Sequence, residues 1–279
     1  MRTIVHLSDL HFGALDDAVV EPLLRAVRDA APDLVAVSGD LTQRARRGQF
    51  TQARDFLERL DRPTLVVPGN HDVPLYDVAA RFTDPLRRYR RYITANLTPG
   101  YRDDEIAVVG VNSARALAFR YGRGRISSEQ ALRATALLNL APKGVTRILV
   151  THHPFDLPAG HHEHHLIGGA SVAMRWLASA GVDLFLAGHL HVSHVGRTAE
   201  RYRIEGHSAL VVQAGTVSRR ARGEPGAFNV VRLAGPLMTI ERHSWDADQA
   251  GFLPAWTGRY TQTPDGWTPA ATEATDSTT

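Results

Sequence analysis

The 279-residue chain contains no cysteine. No disulfide framework can hold it together, and no thiolate can serve as nucleophile or soft metal ligand. Any metal ion must therefore be held by oxygen and imidazole. Long apolar runs are also missing: none approaches the roughly 20 residues that a membrane-spanning helix needs. The apolar stretch at the amino end is interrupted by His6 and stopped by Asp9, unlike a secretory signal, so a cytoplasmic protein is expected. Charge of one sign is scarce as well. A net charge of +3 is small for this length, and no nucleic-acid polymer is expected as a partner. Two arginine clusters, Arg87-Arg88-Tyr89-Arg90-Arg91 and Arg219-Arg220-Ala221-Arg222, are weak hints toward an acidic substrate, since most such runs are solvated faces.

What is present is a hydrophobic fraction of 43%, enough to bury a substantial core. Over the first two thirds, short apolar runs alternate with segments of helical period, the pattern of an α/β protein. The expected strands are Thr3 to Ser8, Leu34 to Ser38, Thr64 to Val67, Ile106 to Val111, Arg147 to Thr151 and Asp183 to Ala187. Each is nearly all apolar, as strands buried on both faces are. Phe50, Ala53, Leu57 and Leu60 line one helix; Val172, Trp176, Leu177 and Ala180 line another that stops at Gly181. Ser127 and Gln130 form a capping-box pattern opening a third. From Ser208 onward, Ala209 to Gln213, Ala227 to Leu233 and Leu237 to Arg242 read as antiparallel sheet. Residues 1–260 are expected to form one domain. Residues 261–279, rich in Thr, Ala and Pro with a single Trp267, are expected to form a flexible tail.

Five of the six strand candidates run directly into residues of metal-ligand type. Asp9-Leu10-His11 follows the first, Gly39-Asp40 the second, Gly69-Asn70-His71-Asp72 the third, His152-His153 the fifth and Gly188-His189-Leu190-His191 the sixth. In an open α/β sheet, loops at the carboxyl ends of strands form the site, so these groups should converge. Taken singly, an Asp or Asn after a strand is usually a turn residue or a cap. The set resists that reading, because unrelated turns have no reason to collect three histidine-bearing motifs and two aspartates. Glycines 39, 69 and 188, each just before a ligand candidate, suit sharp turns and close backbone approach. Carboxylate, amide and imidazole donors together suit Zn, Mn or Fe, whereas Mg or Ca would call for oxygen almost exclusively.

With these residues in view, the chain resembles the calcineurin-like metallophosphoesterase superfamily, whose pattern of Asp-x-His, Gly-Asp, Gly-Asn-His-Asp/Glu, His and Gly-His-x-His appears here complete and in order from Asp9 to His191. The resemblance implies a four-layer αββα sandwich of two mixed sheets flanked by helices. It also implies two divalent or mixed-valence metal ions (Mn, Fe or Zn), one on Asp9, His11, Asp40 and His191, the other on Asp40, Asn70, His152 and His189, with Asp40 bridging. The Gly39-Asp40-Leu41-Thr42 context is similar to that of bacterial class III cyclic-nucleotide phosphodiesterases. Two metals roughly 3.5 to 4 Å apart can acidify a bridging water and stabilise the attacking and leaving oxygens of an in-line displacement, so the expected substrate is a small phosphodiester.

The remaining member of the third motif, His71, is expected to contact the phosphoryl oxygen or protonate the leaving group, with Asp72 orienting its ring. Substrate contacts are expected from Asn70, His71 and Arg44, although a surface arginine opening the next helix is the competing reading of Arg44. His153 either orients the ligand loop or faces outward. Asn112 caps a turn or supports the site. The run His161-His162-Glu163-His164-His165 has metal-binding composition, with a solvated or lid-forming loop as its other reading. An alternative function is a nucleotide-linked lipid pyrophosphatase of the UDP-diacylglucosamine type: Val73 to Ile93, where apolar residues interleave with five arginines, could rest on an anionic membrane surface. A binding module that keeps the fold without catalysis is the third reading. A homodimer through the C-terminal sheet is a further expectation.

Overall fold

The computed structural model describes residues 1–116 and 122–270. Its elements run β1 (Arg2–Leu7), α1 (Asp17–Asp29), β2 (Leu34–Val37), α2 (Arg47–Arg59), β3 (Thr64–Val66), α3 (Val78–Thr83), α4 (Arg87–Tyr92), β4 (Gly100–Arg102), β5 (Ile106–Gly110), α5 (Ser128–Leu138), β6 (Thr146–Val150), α6 (Ala170–Ser179) and β7 (Val182–Ala187). They continue through β8 (His194–Arg197), α7 (Thr198–Arg201), β9 (Leu210–Gln213), β10 (Ala227–Ala234), β11 (Leu237–Asp246), β12 (Gly251–Thr263) and β13 (Gly266–Pro269). One sheet has the order β13-β12-β11-β10-β1-β2-β3 and the other β4-β5-β6-β7-β9-β8.

The period of two along each strand explains why these sheets stack. In β1, Ile4 faces the space between the sheets while Val5 and Leu7 face the helices; in β6, Ile148 and Val150 face inward and Leu149 outward; in β7, Leu184 and Leu186 oppose Phe185. Both faces of a strand are therefore apolar, and three hydrophobic layers result. Leu23, Leu24 and Val27 of α1 and Phe50, Ala53 and Phe56 of α2 cover the first sheet. Ala131, Ala134 and Leu138 of α5 and Ala173, Met174 and Leu177 of α6 cover the second. The layer between the sheets is made of strand residues and Trp267. The order helix, sheet, sheet, helix is the four-layer α/β sandwich that the family resemblance implies.

The capping box of α5 is formed as its sequence suggests: Ser127 Oγ accepts from Gln130 N at 3.1 Å, and Gln130 Oε1 accepts from Ser127 N at 3.0 Å. Three expectations need correction. Val172 and Trp176 of α6 are 41% and 42% exposed; the buried stripe is Ala170, Ala173, Met174 and Leu177, where small side chains let the helix approach α5 and the sheet closely. Ala209 to Gln213 does not join the antiparallel sheet of β10 and β11. As β9 it lies parallel to β7 and antiparallel to β8, because its alternate residues Leu210 and Val212 are needed between the sheets.

The third correction concerns the expected tail. Residues 261–269 complete β12 and form β13, and Trp267 is 1% exposed. Its indole donates to Asp183 Oδ1 at 2.9 Å, so its single polar atom is satisfied on burial. Pairing with β11 and within the β12–β13 hairpin, together with one large buried aromatic ring, makes this polar stretch sheet. The rest of the expected tail, 271–279, lies outside the described residues. Trp267→Ala should cost about 3 to 5 kcal/mol of stability, the range for deleting a buried tryptophan. Urea unfolding checks this, and an unchanged midpoint would show that the 261–270 segment contributes nothing to the core.

Candidate metal centre

The carboxyl ends of β1, β2 and β3 in one sheet and of β6 and β7 in the other open toward a single region. Beyond β1 and β2 the chain keeps parallel pairing after the strands have ended: Asp9 N donates to Gly39 O, His11 N to Asp40 O and Phe12 N to Leu41 O, at 3.0, 2.9 and 2.8 Å. These bonds line up the first two motifs side by side. The third arrives through Gly69, whose Cα hydrogens face Asp40. A Cβ there would stand 2.1 Å from Asp40 Oδ1 and 2.3 Å from Asp40 N, and one at Gly188 would stand 2.4 Å from Asp9 Oδ2. Only glycine lets those backbones approach.

The backbone is unusual at the candidate ligands themselves. Asp9, His11, Asp40, His189 and His191 all have positive φ, between 46° and 76°. Side-chain-bearing residues avoid this left-handed region at a cost of roughly 1 to 2 kcal/mol each, and such residues concentrate where function fixes the geometry.

All seven expected ligands are brought together. Ligand atoms of Asp9, His11, Asp40 and His191 lie within 4.8 Å of one another, and so do those of His152, His153 and His189. Asp40 Oδ2 stands between the groups, 3.8 Å from His11 Nε2 and 3.4 Å from His152 Nε2. Asn70 Oδ1 lies 3.1 Å from both His152 Nε2 and His189 Nδ1. Carbonyls hold the far nitrogens of two rings: His152 Nδ1 donates to Ser38 O at 2.8 Å and His191 Nδ1 to Arg220 O at 3.0 Å. That fixes Nδ1 as a donor and turns each Nε2 inward, the usual support for a metal-binding imidazole.

The donor set fits a cation. Asp9 and Asp40 are buried, yet Asp9 Oδ1 has no hydrogen-bond donor, and buried charges are otherwise paired or metal-bound. His11 Nε2 and His191 Nε2 point at each other from 3.0 Å, a convergence of lone pairs that a cation between them would resolve. Burial opposes ionisation of both carboxylates, but the surrounding imidazoles, His191 for Asp9 and His152 for Asp40, hold each well below the usual carboxylate range. His152 is raised to about 9 although burial pulls the other way, because Asp40 faces it.

His71 also reaches the centre, its ring centroid 4.8 Å from that of His11. Its orientation differs from expectation. Asp72 does not hold the ring: its carboxylate accepts from Gly69 N, Leu41 N, Thr42 N and Thr42 Oγ1 and so ties the third motif to the second. The His71 ring is set by Nδ1 donating to Gln43 O at 2.9 Å. Burial lowers its pKa to about 4, leaving a neutral imidazole at pH 7. The Arg44 guanidinium stands over the exposed ring of Tyr76, 5.8 Å from its centroid.

His153 is buried and orients a loop, as one of its two readings holds: Nε2 donates to Gly122 O at 3.0 Å, and Nδ1 accepts from Ser113 Oγ at 2.9 Å. Asn112 caps a turn through Ala114 N. In the 161–165 run only His165 approaches the centre, its Nδ1 3.3 Å from His189 Nε2. Glu163 is tied to Arg201, which also donates to Asp156 at 2.8 Å. Sequence reasoning took the arginine cluster in the loop after β9 only as a weak hint toward an acidic substrate and gave none of its residues a place at the centre. Thr216 Oγ1 donates to Asp9 O at 2.6 Å, and Arg220 touches His71 and His191. No motif marks this loop, and nothing in the sequence tells which of its three arginines turns inward.

Comparison with known proteins adds independent findings. The profile described as calcineurin-like phosphoesterase matches residues 2–193. A probable cyclic nucleotide phosphodiesterase from Synechococcus is 33% identical over 81 residues, 26% of this chain and 32% of the relative. A glycerophosphodiester phosphodiesterase from Enterobacter lignolyticus is 37% identical over 81 residues, 25% of this chain and 29% of the relative. The matches thus span about a third of the length of these curated relatives. Among solved structures, a dimetal phosphatase from Danio rerio superposes with a TM-score of 0.64 at 15% identity, covering 87% of this chain and 96% of that one; at that identity the likeness concerns the fold.

Two outcomes follow from this geometry. Gly69→Ala should abolish metal retention, read by elemental analysis of purified protein, whereas Gly48→Ala, where an added methyl meets nothing within 4 Å, should retain it; equal metal content would show that the close approach is dispensable. Asp156 carries the second. Burial raises its pKa, but bonds from His194 and Arg201 outweigh burial and leave it lowered. Its contribution to stability is therefore present above the unfolded carboxylate pKa, about 3.9, and is lost as pH falls through the lower folded value. Asp156→Asn should destabilise at pH 7 and less so at pH 3, compared by urea midpoints.

Proposed function

The chain belongs to the calcineurin-like phosphoesterase family, and from that membership we propose that it is a metal-dependent phosphodiesterase with a dinuclear centre. Asp9, His11, Asp40 and His191 would hold one ion and Asp40, Asn70, His152 and His189 the other. The observation that carries this reading is the place of Asp40 Oδ2 between His11 Nε2 and His152 Nε2. The mixed imidazole and carboxylate donors suit Mn, Fe or Zn.

When bound, such ions supply Lewis acidity that polarises a phosphoryl oxygen and acidifies water. The chain's own residues do the rest. The loops after β1, β2 and β3 are locked to each other by backbone bonds, so the donors need little rearrangement to bind. His71 presents Nε2 to the centre because Gln43 O occupies Nδ1. In the free site Nε2 accepts from Arg220 Nη1 at 2.9 Å; a phosphate anion that draws Arg220 off that nitrogen favours the charged imidazolium, which can then donate from Nε2 to a phosphoryl or leaving-group oxygen. The proposed substrates are small phosphodiesters, cyclic nucleotides included, in line with the names of the two curated relatives.

The lipid-pyrophosphatase alternative has one observation in its favour, the exposure of Tyr76, Val78 and Phe82. Its arginines speak less for it, since Arg88 pairs with Asp77 and Arg90 with Asp84. Among the described residues no helix is long and apolar enough to cross a membrane. Retention on anionic vesicles in a flotation assay would favour this alternative.

The primary test is hydrolysis of bis(p-nitrophenyl) phosphate against p-nitrophenyl phosphate with Mn, Zn, Fe or chelator. Metal-dependent preference for the diester, lost in Asp40→Ala, is the expected result; inactivity with every metal would return the chain to the binding-module reading. His71→Ala should keep its metal yet lower kcat by roughly 10²- to 10⁴-fold, the span for a general acid. Unchanged turnover would remove His71 from the reaction.

A further inference from the structure

Most arginines that are partly buried in this fold have an acidic partner. Arg201 meets Asp156 and Glu163, Arg232 meets Glu241, and Arg242 meets Glu224. Arg219 reaches out to Asp16 at 2.9 Å. The adjacent Arg220 turns the other way. It is half-buried, and among the described residues no carboxylate lies within ion-pair distance of it. Its Nη1 donates to His71 Nε2 at 2.9 Å and to Gln43 Oε1 at 3.2 Å.

A guanidinium has five N–H donors in a rigid fork. Every side-chain bond of Arg220 falls on Nη1, so Nε and Nη2 find no protein acceptor among the described residues. The surrounding charges do not supply an anion either: Arg222 and Arg44 stand close enough for their charges to act on Arg220. The carboxylates that do act on it, Asp40 and Asp9, are those assigned to the metals. With cations on those carboxylates, the environment of Arg220 turns net positive and calls for an anionic ligand.

The loop that carries Arg220 is built to hold it in place. Thr216 Oγ1 bonds Asp9 O at 2.6 Å and Ser218 Oγ at 2.7 Å, Arg220 N donates to Ser218 Oγ at 3.3 Å, and Arg220 O receives His191 Nδ1 at 3.0 Å. The backbone of this residue therefore supports a candidate metal ligand while its side chain reaches His71. We infer that Arg220 is the anion-gripping residue of the site, its free N–H edge taking a non-bridging oxygen of the substrate's phosphoryl group beside His71. The fork of N–H donors matches a phosphoryl group better than a point charge does. This rests on the phosphoesterase reading for the identity of the ligand.

The test is calorimetric binding of inorganic phosphate to the metal-loaded protein, with metal content measured in parallel. Arg220→Met should weaken phosphate binding by roughly 10- to 100-fold, the range for a lost hydrogen bond to a charged group, with metal content unchanged. Arg220→Lys should recover only part, because an ammonium lacks the fork. Arg219→Gln should bind phosphate as the wild type does. If Arg220 acts only by holding His71, its effect will vanish in a His71→Ala background, and direct contact is overturned; a loss that persists there supports it. Wild-type affinity in Arg220→Met, or no phosphate binding by the metal-loaded wild type, also overturns it. The hydrolysis assay separates the two proposals: a protein that cleaves no ester yet loses phosphate binding in Arg220→Met upholds Arg220 while the phosphodiesterase reading fails.

Discussion

The centre depends on the way Asp40 is surrounded. Its backbone carbonyl takes His11 N, its Oδ1 takes His71 N at 2.7 Å, and its Oδ2 lies between His11 and His152. One residue thus registers the ends of β1, β2 and β3 and touches a loop from the second sheet. A buried carboxylate cannot be left without compensation, so each of these contacts is required of the others. The glycine at 69 is part of the same constraint, since any side chain there would occupy the space of the Asp40 carboxylate.

This arrangement works against local backbone preference. Five candidate ligands adopt left-handed conformations, and a cluster of acids and imidazoles is buried where a core would otherwise be apolar. The sandwich offsets that cost. Strands apolar on both faces form three packed layers, and the strained loops begin where those strands end. Rigid scaffold and strained loop are thus adjacent in the chain, and ordered strand ends hold the loops in conformations that a free peptide would avoid.

The residues that converge at the centre were legible in the sequence because each motif follows an apolar run directly, and the fold class because the runs alternate with helical segments. Side-chain identity was a weaker guide elsewhere. Asp72 follows His71 in the chain, yet its oxygens are consumed by three backbone amides and Thr42, and the ring is set by a carbonyl that carries no sequence signature. The stretch around Trp267 has the composition of a tail, but its indole found both an apolar layer and a carboxylate. In α6 the buried stripe runs through Ala170, Ala173, Met174 and Leu177 and leaves the large side chains of Val172 and Trp176 on the more exposed side.

Sequence by itself determined the chemistry available: without cysteine, any metal must meet oxygen and imidazole, and the strand-end motifs supply the oxygen and imidazole groups that converge. Local period determined which segments become strands with two buried faces. Tertiary structure alone decided which groups face each other across the two sheets. It placed Asp40 between imidazoles more than a hundred residues apart in the chain from one another, and it turned Arg220 toward His71 while Arg219 faced Asp16. Such choices depend on the direction in which a loop leaves its strand and on what already fills the neighbouring space, and neither is encoded within the loop's own residues.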